Sequence, residues 1–413
     1  MHQSVMTIIA DGMDQSKFRI PRFGPVKLKA LDKFPRPALH VAGIWCHGHS
    51  LQLGVSTPEV PKDSNTNVET ISRMIESVLA KGRRLPHHLH LQLDNTSREN
   101  KNQKMMRFCM FLVHRGVFRT VSMCFLRKGH THEDIDGIFG QLALDIARTT
   151  FDDLDDLEEI LMRKLRQVGS DDASRHNSFV YNVTQVADLE TLTGMLSVEF
   201  TKHTGPNAPH TFKFFRRSDL NIEADSRDRE IIEDFPDGTP KHDDDIFMLT
   251  RHWMSSRSAS QVTVVLSARK PCLSAIPRQP VGNRPKKTLM DKLAREVFNE
   301  CRRAAAQNLI TPKARLFLEA WVSNALPVTP RPGRYEYLEY NWEVGINTAG
   351  AVREHVPYDG LSDVVNHVMV ANREGAAADG GPVPDAEPAE EGAAHGNEDL
   401  AEGDDAPLEL QAG

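Results

Sequence analysis

The sequence lacks any long apolar run, since no stretch of about 18 or more uninterrupted apolar residues occurs within its 413 residues. A membrane-spanning helix is therefore not expected. The first residues also lack a basic segment followed by an apolar one, which argues against a secretory signal. These absences predict a protein that is not secreted, that stays inside the cell, in the nucleus or elsewhere, and that has no membrane partner.

Cysteine is also scarce: there are five cysteines, an odd number, and no C-x-x-C pair. This argues against a disulfide framework and against a structural zinc site of the usual spacing. Cys46, His47 and His49 lie close together in the sequence. No second group of ligands follows them at zinc spacing, so a zinc site there is not favoured.

Positive charge is absent from the last 40 residues, which contain twelve acidic residues and no Lys or Arg. Removing these twelve charges from the net charge of −7 leaves +5 for the rest of the chain. A mildly basic body permits a polyanionic partner without requiring one. The segment 371–413 is rich in Ala, Gly, Pro and acids, and we predict that it is a disordered acidic tail.

The first 150 residues alternate between strand and helix patterns. Apolar or alternating runs predict strands, and apolar positions at helical spacing predict helices. The predicted strands are 5–11, 39–48, 50–56, 88–94 and 120–126, and the predicted helices are 64–82, 98–116 and 132–148.

The order βββαβαβα begins with a meander and continues with helical crossovers, which is typical of a ribonuclease-H-like mixed five-stranded sheet and not of a Rossmann sheet. We therefore predict an α/β ribonuclease-H-like core over residues 1–150. The weaker patterns that follow predict an appended or inserted α+β subdomain over 151–280 and a small helical region over 281–370.

Two of the predicted core strands end in an aspartate, Asp11 and Asp94. In a sheet of this topology the two strands are neighbours, so their carboxylates would lie side by side. Glu133 and Asp136, three residues apart, share one face of the helix that follows the fifth strand, and either could supply a third acid. Each acid taken alone could equally be an ordinary residue of a strand-end turn.

Three clustered carboxylates repel one another unless a cation neutralises them, and Mg²⁺ or Mn²⁺ with oxygen ligands is the usual one. A two-metal site of this kind activates a water or a 3′-hydroxyl and stabilises the leaving oxygen of a phosphodiester. The pattern therefore predicts a metal-dependent nuclease or polynucleotidyl transferase.

Two strings carry a resemblance to a known family. Residues 94–102 read D-N-x-x-x-x-N-K-N, and residues 129–136 read G-H-T-x-x-x-x-D. Together with the segment 11–22, they resemble the signature of an uncharacterised domain family found in eukaryotic transposon-like proteins. The resemblance covers about residues 1–150 well and the region to about 270 loosely.

This resemblance implies a core of the DDE transposase and integrase class, with Asp136 in preference to Glu133 as the third acid. Asp11, Asp94 and Asp136 would then be the metal ligands. It also marks residues that flank the acids, namely Asn95, Glu99, Asn100, Lys101, Asn102, Gly129, His130 and Thr131.

Each flanking residue also has an ordinary structural interpretation. Asn95 and Asn100 could cap a helix that starts near Arg98. Lys101 could contact a phosphate or remain solvated. His130 could act as a general acid or base beside the metal, or be a hydrogen-bonded turn residue. Asp14 could support Asp11 or face water.

The leading hypothesis is a transposase-derived nuclease that acts on DNA, with RNA or an RNA–DNA hybrid as alternative substrates. No DNA-binding module precedes Asp11, and this departure from a complete transposase suggests a fragment or a domesticated relative. The competing hypothesis is therefore a catalytically inactive nucleic-acid- or protein-binding protein. Nothing in the sequence indicates an oligomeric state.

Overall fold

The structure is a computed structural model of the whole chain, and it describes twelve segments within residues 5–323. These are residues 5–13, 19–23, 36–58, 60–80, 84–125, 134–168, 178–189, 208–219, 245–253, 261–265, 278–280 and 287–323. No helix in these segments is long and apolar enough to cross a membrane. The predicted acidic tail lies outside them.

The described segments contain eleven strands and six α-helices. The strands are β1 (Val5–Gly12), β2 (His40–Cys46), β3 (Ser50–Ser56), β4 (His88–Leu93), β5 (Thr120–Phe125), β6 (Phe179–Asn182), β7 (Gln185–Ala187), β8 (Thr211–Arg216), β9 (Ile246–Arg251), β10 (Gln261–Val265) and β11 (Arg278–Pro280). The helices are α1 (Ser64–Ala80), α2 (Gln103–His114), α3 (Asp134–Arg148), α4 (Leu154–Val168), α5 (Lys287–Ala306) and α6 (Pro312–Val322).

Nine of the strands form one mixed sheet in the order β10-β9-β8-β5-β4-β1-β2-β3-β6, and β7 pairs with β11 in a separate two-stranded sheet. The five predicted strands occupy the centre of the large sheet. There β1, β2 and β3 are antiparallel neighbours, while β4 runs parallel to β1 and β5 runs parallel to β4. The predicted mixed α/β sheet is confirmed, but it has nine strands instead of five.

Two hydrophobic clusters cover opposite faces of the sheet, because successive strand residues point to opposite sides. One contains Ile8 and Ala10 of β1 together with the buried faces of α1 and α2. The other contains Ile9 together with residues of α3, α4, α5 and α6. The protein therefore has the helix–sheet–helix layering of an α/β fold.

Four of the strands beyond residue 150 extend the central sheet at its two edges. β6 pairs in parallel with β3, while β8 pairs antiparallel with β5 and is followed by β9 and β10. The region predicted as an appended or inserted subdomain thus contributes strands to the same sheet as the first 150 residues.

Candidate acidic site

Strands β1 and β4 place Asp11 and Asp94 at the same edge of the sheet. The two strands are parallel neighbours, and Ala10 pairs with Leu93, so each aspartate comes directly after a paired residue. Neighbouring strands lie about 4.8 Å apart, and these two residues point to the same face of the pleated sheet. The prediction that the strands carrying Asp11 and Asp94 are neighbours is confirmed.

A glycine on β2 allows helix α3 to pack closely beside Asp11. Gly43 is the pairing partner of Asp11 across β1 and β2. A Cβ atom built on Gly43 would lie 2.7 Å from Cζ of Phe139 and 2.8 Å from Cδ1 of Ile135. Because only hydrogen fits there, the first turn of α3 lies directly on the strand, and Asp136 follows Ile135 in that turn.

The carboxylates of these elements interact electrostatically at Asp11. Burial and, to a smaller extent, the negative charges of Asp94 and Asp136 together raise the pKa of Asp11 from 3.8 to about 6. A hydrogen bond of 2.7 Å from the Gly12 backbone N–H to Oδ1 of Asp11 and the positive charge of Lys62 act in the opposite direction. Asp11 is therefore a partly buried carboxylate that two further carboxylates repel when it is ionised.

A hydrogen-bonded loop fixes Asp94. Its Oδ1 accepts hydrogen bonds from the side-chain hydroxyl of Thr96, at 2.7 Å, and from the side-chain amide of Asn100. Asn100 is only 4% exposed, and its own Oδ1 accepts a hydrogen bond of 2.8 Å from Nδ2 of Asn67 on α1. The side chain of Asp94 is thus tied to the buried amide of Asn100.

The helix after this loop begins later than predicted. α2 starts at Gln103, and its N-cap is Asn102, whose side chain accepts hydrogen bonds from the backbone N–H groups of Lys104 and Met105. The predictions that the helix starts near Arg98 and that Asn95 or Asn100 caps it are therefore wrong. The side chain of Asn100 holds Asp94 instead.

Lys62, which no motif in the sequence marks, places a positive charge next to the acids. Its Nζ lies 3.7 Å from Oε1 of Glu99 and 3.7 Å from the position of a Cβ on Gly12. The same Cβ would lie 2.7 Å from Cε1 of His40. Burial, with a smaller contribution from the charge of Lys62, lowers the pKa of His40 to about 4, so this imidazole is neutral at pH 7.

Lys101 contributes a second cation at this sheet edge. Its Nζ lies 5.4 Å from the centre of the Phe125 ring, at the end of β5. The side chain is buried, and this burial lowers the pKa of its ammonium group. The sequence alternative of a solvated Lys101 is therefore wrong, while a contact with phosphate stays a prediction.

Several predicted residues lie outside the described segments. They are Asp14, Gly129, His130, Thr131 and Glu133. The choice between Glu133 and Asp136 as the third acid thus stays a prediction. Among the residues that the structure describes, no three Asp, Glu, His or Cys side chains are arranged so that they could hold a metal ion.

Cys46, His47 and His49, for which the sequence does not favour a zinc site, make other contacts. Cys46 is buried, and the ring of His47 stacks on Trp45 with 4.6 Å between ring centres. Nε2 of His49 lies 3.2 Å from the hydroxyl of Ser77. These contacts place the three residues in the packing of the β2–β3 hairpin.

One protein-family model matches the chain. Residues 29–230 are similar to a domain of unknown function (DUF7869). Asp94 and Asp136 lie within the matched residues, whereas Asp11 and everything from β9 onwards lie outside them. No curated protein and no solved structure matches the chain.

Proposed function

We propose that this protein is a metal-dependent nuclease or polynucleotidyl transferase of the ribonuclease-H-like class, acting on DNA. Its reaction centre would be formed by Asp11, Asp94 and Asp136. The observation that supports this most directly is that Asp11 and Asp94 follow parallel neighbouring strands, with Asp136 in the helical turn that packs on Gly43, and that both other acids contribute to the raised pKa of Asp11. The order β3-β2-β1-β4-β5 at the centre of the sheet agrees with the topology expected for this class.

The donor set suits Mg²⁺ or Mn²⁺. Both ions prefer oxygen ligands, and a divalent cation would relieve the repulsion among the carboxylates. Asp11, Asp94 and Asp136 would hold the ion after a local adjustment of side chains. When bound, such an ion lowers the pKa of a water molecule and stabilises the leaving oxygen of a phosphodiester.

The remaining residues of the site would orient and balance these groups. Asn100 and Thr96 restrict the rotation of Asp94 through their hydrogen bonds. Lys62, whose side chain is 38% exposed, is placed to contact a phosphate beside Asp11. The resemblance of the two motifs to a transposon-associated family is the reason for preferring DNA over RNA.

The proposal is tested by incubating the purified full chain with labelled DNA in Mg²⁺ or Mn²⁺. We expect cleavage or strand joining that EDTA abolishes and that Asp94→Asn reduces at least about a hundredfold, because one ligand of the centre loses its charge. The matched control is Glu159→Gln on α4, an exposed acid outside the site. The absence of metal-dependent cleavage on DNA, RNA and RNA–DNA hybrids would defeat the proposal.

A second function is a catalytically inactive binding protein with the same fold. It is favoured by the finding that, in the described segments, the acids are not arranged for metal binding. Calorimetric titration with Mn²⁺ separates the two functions. If the site is a nuclease centre, the native protein should bind Mn²⁺ and Asp94→Asn should not. If the protein is catalytically inactive, the native protein and Asp94→Asn should give the same titration.

A further inference from the structure

A cluster of three aromatic rings lies at the same sheet edge as the acids. The imidazole of His210 stacks on the indole of Trp253, with 4.0 Å between ring centres and 17° between planes. His252 meets Trp253 edge to face at 5.0 Å and His210 at 6.0 Å. His210 directly precedes β8, and the other two residues directly follow β9.

Sheet register fixes the position of this cluster relative to Asp94. Leu93, which precedes Asp94, pairs with Phe125 at the end of β5. The backbone N–H of Phe125 donates a hydrogen bond of 2.8 Å to the carbonyl of His210. His210 thus lies two strands from Asp94, a distance of about 10 Å at ordinary strand spacing.

Backbone hydrogen bonds hold the cluster in place. The N–H of His210 lies 3.0 Å from the carbonyl oxygen of Arg251 and 3.1 Å from that of His252. All three rings are half-buried, so each has surface in contact with solvent. A stacking surface that is fixed before binding loses little entropy when a flat ligand settles on it.

The charges around the cluster match a nucleic-acid strand. Arg251, the last residue of β9, adds a positive charge beside His210, and Lys101 lies over Phe125, on the strand between β4 and His210. A cation between the reaction centre and the stacked rings, with a second one beside the rings, suits a strand whose phosphate lies at the acids and whose base lies on the rings. Every base offers a flat face, so such stacking tolerates different sequences.

We propose that His210, His252 and Trp253 form a stacking platform for an unpaired DNA base next to the acidic site. The proposal rests on the proposed function for its substrate class, and it adds that the DNA is single-stranded or unstacked where it binds. A base held inside a duplex is already stacked on its neighbours and cannot reach the platform.

Binding is measured by fluorescence anisotropy with the full chain in EDTA, so that cleavage plays no part. The probes are a labelled single-stranded DNA of 20 nucleotides, the blunt duplex of the same sequence, and a single strand of abasic sites. We expect Trp253→Ala to weaken binding of the single strand by roughly 5- to 150-fold, as stacking on one base contributes about 1–3 kcal/mol. Trp253→Phe should retain most of the affinity, and duplex binding should be the same in all forms.

A second measurement does not depend on the alanine variant folding. Stacking should quench the tryptophan fluorescence of the native protein when single-stranded DNA is added, and Trp253→Phe should remove that quenching. Trp321→Phe on α6 is the control and should keep it. Quenching that persists in Trp253→Phe, equal binding of the abasic strand, or no binding of single-stranded DNA would overturn the platform.

These outcomes are separable from those of the nuclease test. A protein that binds through Trp253 but does not cleave would retain the platform and lose the proposed reaction. If cleavage depends fully on Asp94, but Trp253→Ala binds single-stranded DNA as tightly as the native protein does, the proposed reaction stands and the platform does not.

Discussion

The ionisation of Asp11 links the site to the stability of the fold. The pKa of this carboxyl group is ordinarily 3.8, and it is about 6 in the folded protein. Between these pH values the folded state binds more protons than the unfolded state, so stability falls as the pH rises from about 4 to 6. Above pH 6 the full cost of an ionised, partly buried carboxylate is present.

Asp11→Asn should therefore stabilise the metal-free protein at pH 8, by an amount on the order of 1–3 kcal/mol, and much less near pH 4. The measurement is urea unfolding in EDTA at pH 4, 6 and 8. The exposed Glu159→Gln serves as the control and should show no pH-dependent gain. An effect of Asp11→Asn that is equal at all three pH values would contradict the origin of the shift.

Asn100 should control how well Asp94 binds a metal ion. Its amide orients the carboxylate, and the loss of a residue that orients a metal ligand typically costs 10- to 100-fold in affinity. We expect Asn100→Ala to weaken Mn²⁺ binding by that factor. Calorimetric titration of Mn²⁺ gives the affinity directly.

Asn67→Ala tests the same prediction with a smaller change. It removes only the hydrogen bond to Oδ1 of Asn100 and should cause a smaller loss. Unchanged Mn²⁺ affinity in Asn100→Ala would show that Asp94 needs no such support.

Some residues of the site can be predicted from the sequence and others cannot. Asp11 and Asp94 could be predicted because each ends a run with a clear strand pattern. Lys62 and His40 could not, since no local pattern distinguishes them and only the folded chain brings them next to Gly12. The D-N-x-x-x-x-N-K-N motif marks Asn100, but the hydrogen bond from its amide to Asp94 depends on where α2 begins.

At the scale of elements, the contact between α3 and β2 determines where Asp136 lies. The apolar residues of α3 recur at helical spacing, which is typical of one inward-facing side, and all four are buried: Ile135, Ile138, Phe139 and Leu142. This spacing could not predict that the contact surface on β2 is a glycine, because Gly43 occurs in an otherwise ordinary apolar strand. The close approach is a property of two elements packed together.

Gly43→Ala should push α3 away from β2. Alanine normally stabilises a strand relative to glycine, but here its methyl group would overlap Phe139 and Ile135. We expect a loss of about 1–3 kcal/mol in the free energy of unfolding, together with weaker Mn²⁺ binding. Urea unfolding and calorimetry measure the two effects.

Gly140→Ala on the same helix is the matched control. A Cβ there has no atom within 4 Å, so the substitution should stabilise the protein by up to about 1 kcal/mol and leave Mn²⁺ binding unchanged. If Gly43→Ala also stabilises the protein, α3 adjusts without cost and Gly43 does not position Asp136.

At the scale of the whole molecule, the central five strands were predictable and the edges of the sheet were not. The meander and crossovers within 1–150 have strong local patterns. The pairing of β6 with β3 and of β8 with β5 joins segments far apart in sequence, and nothing in a short window shows which edge a strand will join. The same holds for α5 and α6, which pack in the cluster of α3 and α4.

A buried ion cluster connects the late part of the chain to the early part. Arg278, in β11, lies outside the matched family residues. Its Nε lies 2.8 Å from Oε2 of Glu69, and its Nη2 lies 2.7 Å from Oε1 of Glu76, both on α1. Burial acts to lower the pKa of Arg278, but the two carboxylates outweigh it and raise that pKa.

Arg278→Met should lower the free energy of unfolding by about 3–5 kcal/mol, because the buried carboxylate of Glu76 loses its ion pair with Arg278, while Glu69, which is 0% exposed, keeps its pair with Arg73. Adding Glu76→Gln to this variant should restore much of the loss, since Arg73 and Glu69 then remain as a neutral buried pair. Arg303→Met, which breaks the exposed pair with Glu300, should change stability by less than about 1 kcal/mol. Urea unfolding at pH 7 compares the three variants, and if Arg278→Met with Glu76→Gln is no more stable than Arg278→Met alone, the charge of Arg278 is not what joins β11 to α1.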